Sequence, residues 1–386
     1  DRKDLILMKW VTIWGNAQST VLPAPATYAK DITLRYPIFV PFNGEKVRIT
    51  LDNFCSNEDV QVEELSIGFG EDLSDRQNHI HLLTYQGETH FKIPAHQSIQ
   101  TDEITISVKE NSFLIVSMYL KDYTLLTSGV DITGPLSKGN FAYGNQIRKD
   151  KLDVNTSKST TWVYFLANVD LYTTSKNKAV ICYGDSITSQ DWPDYLMLEL
   201  RKNKINHISI VRKAVSGTRI LKEYSCITYQ SYGKCGKNRF THEIQSVSGA
   251  TDIIIQHGIN DIIHPVGTQI NIFRPMSDLP TKDELIEGLK YYAQIAKEFH
   301  LNVYYGTLLP IYGWRTYAPF REELKNEVNN WIRTQAHIDF ERIVGIQMKD
   351  AYVFKSSFDS GDHLHPSKKA YQAMGEAAAT LLSRKK

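Results

Sequence analysis

The feature that most constrains this chain is a change in the spacing of its apolar residues near position 177. From Trp10 onward they tend to alternate: Val47, Ile49 and Leu51, then Leu65, Ile67 and Phe69, then Ile104, Ile106 and Val108. Period two puts successive side chains on opposite faces, so these runs predict half-buried strands. Asn43-Gly44, Gly70-Glu71-Asp72 and Gly134-Pro135 punctuate them as turns, and no long helical period intervenes. Residues 1–177 therefore read as an antiparallel, jelly-roll-like β-sandwich.

After Ser175-Lys176-Asn177-Lys178 the pattern changes. Short apolar runs at 179–183, 208–211, 252–256 and 303–308 alternate with helical stretches. That alternation predicts βα units around a parallel sheet over residues 178–386. Thr281 and Glu284 form a capping box, and Leu285, Leu289, Tyr292, Ala296 and Phe299 then share one helix face. A last helix is expected to open with Pro366 in its first turn and to carry Tyr371, Met374, Ala378 and Leu381 inward.

Composition removes several classes of function. The 386 residues are 42% apolar and 23% charged, a globular balance. Lys plus Arg number 44 against 43 Asp plus Glu, scattered rather than striped, so nucleic acid is not expected as a partner. No window reaches the roughly 18 consecutive apolar residues of a membrane span, and Leu5-Ile6-Leu7-Met8 is too short for a signal-peptide core. A removed leader and a start at Met8 are both compatible with the opening, so the compartment stays open, with a lean toward the cytoplasm.

Four cysteines without a C-x-x-C pair point to neither a disulfide framework nor a structural zinc site. Cys182 reads as core. A Cys226–Cys235 bridge would contribute about 2.5 to 3 kcal/mol in an oxidising environment. His79-Ile80-His81 has strand-like metal spacing, but no third ligand is evident nearby.

In open α/β sheets, ligand groups gather at the carboxyl ends of strands, so the residues just after each apolar run matter most. The run 179–183 ends in Gly184-Asp185-Ser186-Ile187, a serine placed where helix-terminal N–H groups favour developing negative charge. The run 252–256 ends in His257-Gly258-Ile259-Asn260-Asp261, where an asparagine amide can serve as an oxyanion donor or can bond its own loop. Ala214-Val215-Ser216-Gly217-Thr218-Arg219 is a glycine loop with an available N–H. Asp362-His363-Leu364-His365-Pro366 puts an acid three residues before a histidine, which suits a base and its orienter. Each piece alone is an ordinary turn or cap. Their joint occurrence in this order is much less ordinary.

In that order the chain resembles the SGNH (GDSL-type) hydrolases, and specifically a subgroup with an N-terminal β-domain that includes acetylxylan-esterase-like proteins. Trp10, Trp14 and Ala17 are similar to that subgroup's opening, and further matches lie at residues 46–53, 307–310 and 328–333. The resemblance implies a flavodoxin-like three-layer α/β/α catalytic domain. It also implies Ser186 as nucleophile, His365 as base, Asp362 as orienter, and an oxyanion hole of the Ser186 and Gly217 N–H groups with Asn260. Two departures stand out: Ser189-Gln190-Asp191 runs straight into Trp192-Pro193, and Thr218 stands where relatives often have asparagine, which implies a differently shaped pocket.

The implied function is hydrolysis of O-acyl esters, acetyl esters on carbohydrate foremost, with a small-molecule or carbohydrate ester as partner and no metal or organic cofactor. A general carboxylesterase or lipase is the nearest alternative; an inactive carbohydrate-binding protein is another, against which the intact serine, asparagine, aspartate and histidine speak. Trp192, Tyr312 and Trp314 follow motif or strand ends and are expected at the substrate pocket, although rings in such places more often pack. The oligomeric state is not legible.

Overall fold

The computed structural model describes residues 6–20, 28–225 and 232–384. The chain divides into two compact units. The first comprises the residues through Ala179 with Asn206–Val211 and Ser246–Ala250, and the second comprises Val180–Ile205, Arg212–Gln245 and the residues from Thr251 onward.

The first unit is built from antiparallel strands. One sheet runs Met8–Gly15, Leu166–Thr174, Gly44–Asp52 and Ser98–Gln100, with Ile104–Val108 also paired to Gly44–Asp52. A six-stranded sheet is centred on Ile32–Val40 and Ser112–Leu120, whose register runs from Ser112 opposite Val40 to Leu120 opposite Ile32. Alternation does what the sequence implies: Val47, Ile49 and Leu51 are sealed in the core, as are Leu65 and Ile67. Ile104 and Ile106 are only half-buried, because their strand pairs on one side alone.

Burial of a cation here needs compensation. Arg35 is fully buried and donates to Ser117 Oγ at 2.9 Å and to the carbonyls of Asp75 and Gln146 at 3.1 and 2.8 Å.

The second pattern gives a five-stranded sheet in the order Ile208–Ala214, Lys178–Gly184, Ala250–Gln256, Asn302–Gly306, His337–Ile338. Both pairings of Asn302–Gly306 are parallel. Numbered along the chain the order is 2-1-3-4-5, so the direction of winding reverses between the first and third strands. Polar residues leaving those two strands therefore share one crevice, and these are the segments beginning at Asp185 and His257.

The capping box at Thr281 forms, with Glu284 N–H donating to Thr281 Oγ at 3.2 Å and Thr281 N–H to Glu284 Oε2 at 3.1 Å. Leu285, Leu289, Tyr292 and Ala296 face inward as expected, whereas Phe299 is exposed. It is the C-cap of Lys282–Glu298, beyond the last packed turn. The last helix is Lys368–Ser383, and its N-cap is Ser367, whose hydroxyl accepts from Ala370 N–H at 3.3 Å. Pro366 thus lies before the helix rather than in its first turn, and Leu382 replaces Leu381 on the buried face. A serine able to cap outcompetes a proline that can only pre-set φ. Cys182 is core, as expected; the Cys226–Cys235 pairing falls outside the described residues, since Cys226 is not among them.

Candidate active site

Gly184 ends the first sheet strand, where an added Cβ would come within 2.3 Å of the Gln256 carbonyl. Only glycine lets the two strand ends approach this closely. Asp185 then caps the four-residue helix Ser186–Ser189, accepting from Ile187 N–H at 3.0 Å. Ser186 is the first helical residue, so its own N–H has no intrahelical acceptor.

The Ser186 hydroxyl lies 3.0 Å from His365 Nε2. His365 Nδ1 lies 2.7 Å from Asp362 Oδ2, and Asp362 Oδ1 accepts the His365 and Leu364 backbone N–H groups at 2.8 and 2.9 Å. Burial pushes the Asp362 carboxyl upward, but the bonds from the His365 ring and from the two N–H groups outweigh it and hold the group below the usual carboxylate range. With Nδ1–H donating to Asp362, it is the Nε2 of the neutral ring that faces the serine hydroxyl.

Gly217 adopts φ +78°, a left-handed conformation open to glycine, and no described residue accepts from its N–H. Asn260 sits on the short helix Ile259–Ile263, and its Nδ2 donates to the Thr218 carbonyl at 3.0 Å. One amide hydrogen is thus used to orient the group, and the second remains. The Thr218 carbonyl also accepts from His257 Nε2 at 3.1 Å, while His257 Nδ1 lies 3.0 Å from the Tyr292 hydroxyl. Burial first and the Arg239 charge second pull His257 down to about 3, so it is a neutral strut.

The structure thus brings Ser186, Asp362 and His365 together and holds Gly217 and Asn260 on one shared loop contact. The expected pocket aromatics fare differently. Trp192 is 0% exposed; it packs on Phe340 with ring centroids 5.3 Å apart and donates to Thr188 Oγ1 at 3.3 Å. It is a core residue and not a pocket wall, because Trp192 opens its helix, with Pro193 second, and turns its indole onto Thr188 of the serine turn. Tyr312 is 49% exposed and Trp314 half-buried, on a turn whose Gly313 abuts the His363 ring in the Asp362–His365 loop. Thr218 does not line open space either: it is buried, donates to the Val215 carbonyl at 2.8 Å and touches His257 and Arg239. The departure from asparagine changes the inside of the loop.

Sequence reasoning missed the groups that tie these loops together. Asp261 accepts from Ile220 and Leu221 N–H at 2.8 and 3.1 Å, joining the loop after Gly217 to the helix of Asn260. Arg239, fully enclosed, donates to the Gly184 carbonyl at 3.0 Å and pairs with Glu243 at 2.6 Å. Asp261 directly follows Asn260 and could have been found from that adjacency; Arg239 gives no local signal.

The family description GDSL-like Lipase/Acylhydrolase matches residues 159–378. No curated protein matches. Similar solved structures include a GDSL-like lipase from Bacteroides thetaiotaomicron, 17% identical over 54% of this chain and 88% of that one, with a TM-score of 0.36. An acetylxylan esterase from Geobacillus stearothermophilus is 15% identical over 54% of this chain and 96% of that one, with a TM-score of 0.39. The family match spans more than half of the sequence, and with it this chain belongs to the GDSL-like lipase/acylhydrolase family.

Proposed function

We propose that this chain hydrolyses O-acyl esters, O-acetyl esters of carbohydrates foremost, through an acyl-enzyme on Ser186. The observation that carries the reading is the hydrogen-bonded row from Ser186 Oγ through the His365 ring to Asp362, at 3.0 and 2.7 Å. Ser186 attacks the ester carbonyl as His365 Nε2 takes its proton. The oxyanion is held by the Ser186 and Gly217 N–H groups and the second hydrogen of the Asn260 amide. His365 then passes the proton to the leaving alcohol, and water repeats the attack on the acyl-enzyme. Asp362 stays ionised and keeps the imidazole in its productive tautomer and orientation.

Two finer points of architecture belong to the same reading. The 2-1-3-4-5 order, with Trp192–Lys202 packed on Lys368–Ser383 and Gly236–Gln245 on Lys282–Glu298, supports a flavodoxin-like three-layer domain. The alternating burial of the antiparallel strands supports a sandwich before it.

Hydrolysis of p-nitrophenyl acetate by the wild type and by Ser186→Ala tests the mechanism; equal rates in the two remove Ser186 from it. The carbohydrate side of the proposal rests on the resemblance of the opening segment to acetylxylan-esterase-like proteins. Turnover of acetylated xylooligosaccharides against longer acyl esters tests that side. A lipase-type preference is the second reading, favoured by Ile270, Ile272, Phe273 and Met276, which are exposed on the segment that follows the Asn260 helix.

A further inference from the structure

We propose that the Gln190 side-chain amide binds the alcohol half of the ester, donating from Nε2 to a neutral oxygen of a sugar-like, polyhydroxylated leaving group. This rests on the esterase reading and adds the residue that selects the substrate within it.

Gln190 stands one helical turn beyond the nucleophile. Its N–H donates to the Ser186 carbonyl at 3.0 Å, and its φ of −84° keeps it in helical register. That register puts its Cβ about 5 to 6 Å from the Cβ of Ser186. From Ala179 to Ser189 every residue except Ser186 is buried, and Gln190 is half-buried. Ser186 and Gln190 are therefore the side chains that the serine turn shows at the surface.

Both of them reach the same C-terminal segment. Ser186 Oγ lies 3.0 Å from His365 Nε2, and Gln190 Oε1 accepts from the Tyr371 hydroxyl at 2.6 Å, one turn into the helix that Ser367 caps. Tyr371 is buried, and Oε1 is the acceptor that its hydroxyl has among the described residues, so the phenolic proton is committed to it. Burial first, then the charges of Asp191, Asp185 and Asp362, hold the phenol well above its ordinary range, which places the pair within the field of the triad aspartate.

With its oxygen pinned, the amide keeps one orientation and turns Nε2 away from the phenol. No described residue accepts from Nε2, and the atom is not enclosed. Two N–H hydrogens thus stand open and oriented beside the nucleophile. In the esterase reading His365 passes its proton to the leaving alcohol, so a donor that shares the segment of that ring faces the alcohol half of the substrate. Asp185, Asp191 and Asp362 disfavour an anionic group there, and an N–H donor does not take a cation. A neutral acceptor remains: a hydroxyl, ring or glycosidic oxygen, which a carbohydrate ester carries and a simple alkyl or aryl ester lacks.

The first test is the ratio of kcat/KM for acetylated xylooligosaccharide to that for phenyl acetate, whose alcohol half has no second oxygen. Gln190→Met, similar in length but without the donor, should lower this ratio about fivefold, the scale of one neutral hydrogen bond. Tyr371→Phe keeps the ring in the core and frees the amide, and it should lower the ratio as well. An unchanged ratio in either variant overturns the proposal. So does an equal loss on both substrates, which would make the Gln190–Tyr371 bond a brace of the serine turn alone. The second test needs no turnover: in calorimetric titration with unacetylated xylooligosaccharide the wild type should bind about fivefold tighter than Gln190→Met, and equal affinity overturns the proposal. A wild type that hydrolyses neither ester yet shows this difference sinks the esterase reading and keeps Gln190 as a sugar-binding residue.

Discussion

Replacing Asn260 with alanine separates a catalytic role from a structural one, because the structure gives the two effects different sizes. The substitution removes the Nδ2 bond to the Thr218 carbonyl, but that carbonyl keeps the His257 Nε2 donor at 3.1 Å and is not orphaned. The stability cost is then that of one hydrogen bond, about 1 kcal/mol. In a unit the size of the one that holds Asn260, about 200 residues, that lowers Tm by roughly 2 to 4 °C. The loss of an oxyanion donor costs far more, on the order of 10²- to 10³-fold in kcat, or about 2.7 to 4 kcal/mol. Stopped-assay kinetics on p-nitrophenyl acetate with a parallel thermal melt should therefore show a large fall in kcat, little change in KM and a small shift in Tm. A kcat within about threefold of wild type would refute the oxyanion role. A collapse of Tm would instead assign Asn260 to the fold.

Further outcomes follow from burial. Asp185 and Asp261 are fully buried, and desolvation is the main cause that raises them to about 7 and about 6. Raised carboxyls bind protons more tightly in the folded state, so their contribution is complete below the unfolded value near 4 and is lost as pH rises through 6 and 7. Asp185→Asn should therefore gain stability relative to wild type as pH rises from about 4 to about 7 in chemical denaturation; a difference that does not vary with pH contradicts the assignment. His257 titrates in the opposite sense, its stability being lost as pH falls below about 6.5, and it is common to both proteins. Trp192→Ala should cost about 3 to 5 kcal/mol of stability by emptying the core beside Phe340, read as a lower denaturation midpoint. Unaltered stability with a raised KM would return Trp192 to the pocket.

Much of the site was legible because its parts are local. Asp362 and His365 are three positions apart, and the Gly184-Asp185-Ser186 turn follows directly from a strand end, so residue type and spacing already carry their geometry. The capping box at Thr281 is local in the same way. The expectation for Trp192 failed because its deciding partner lay far along the chain. Trp192 looked like a wall by its place after the serine, yet Phe340 claims it for the core. The start of the last helix moved because Ser367 offered a cap that the proline could not.

The linear pattern specified the period of each half, the antiparallel and parallel character of the sheets, and the order of the chemical groups, because periodicity and capping depend only on near neighbours. Closure of Ser186 onto His365, across 179 positions, needed the packing of Trp192–Lys202 on Lys368–Ser383, which brings the segments before those two helices to one place, while the winding reversal joins the Asp185 and His257 segments. The neutral state of His257 came from the same level. A sequence states which face of an element is apolar but not what is packed against it, and protonation is set by those opposing groups.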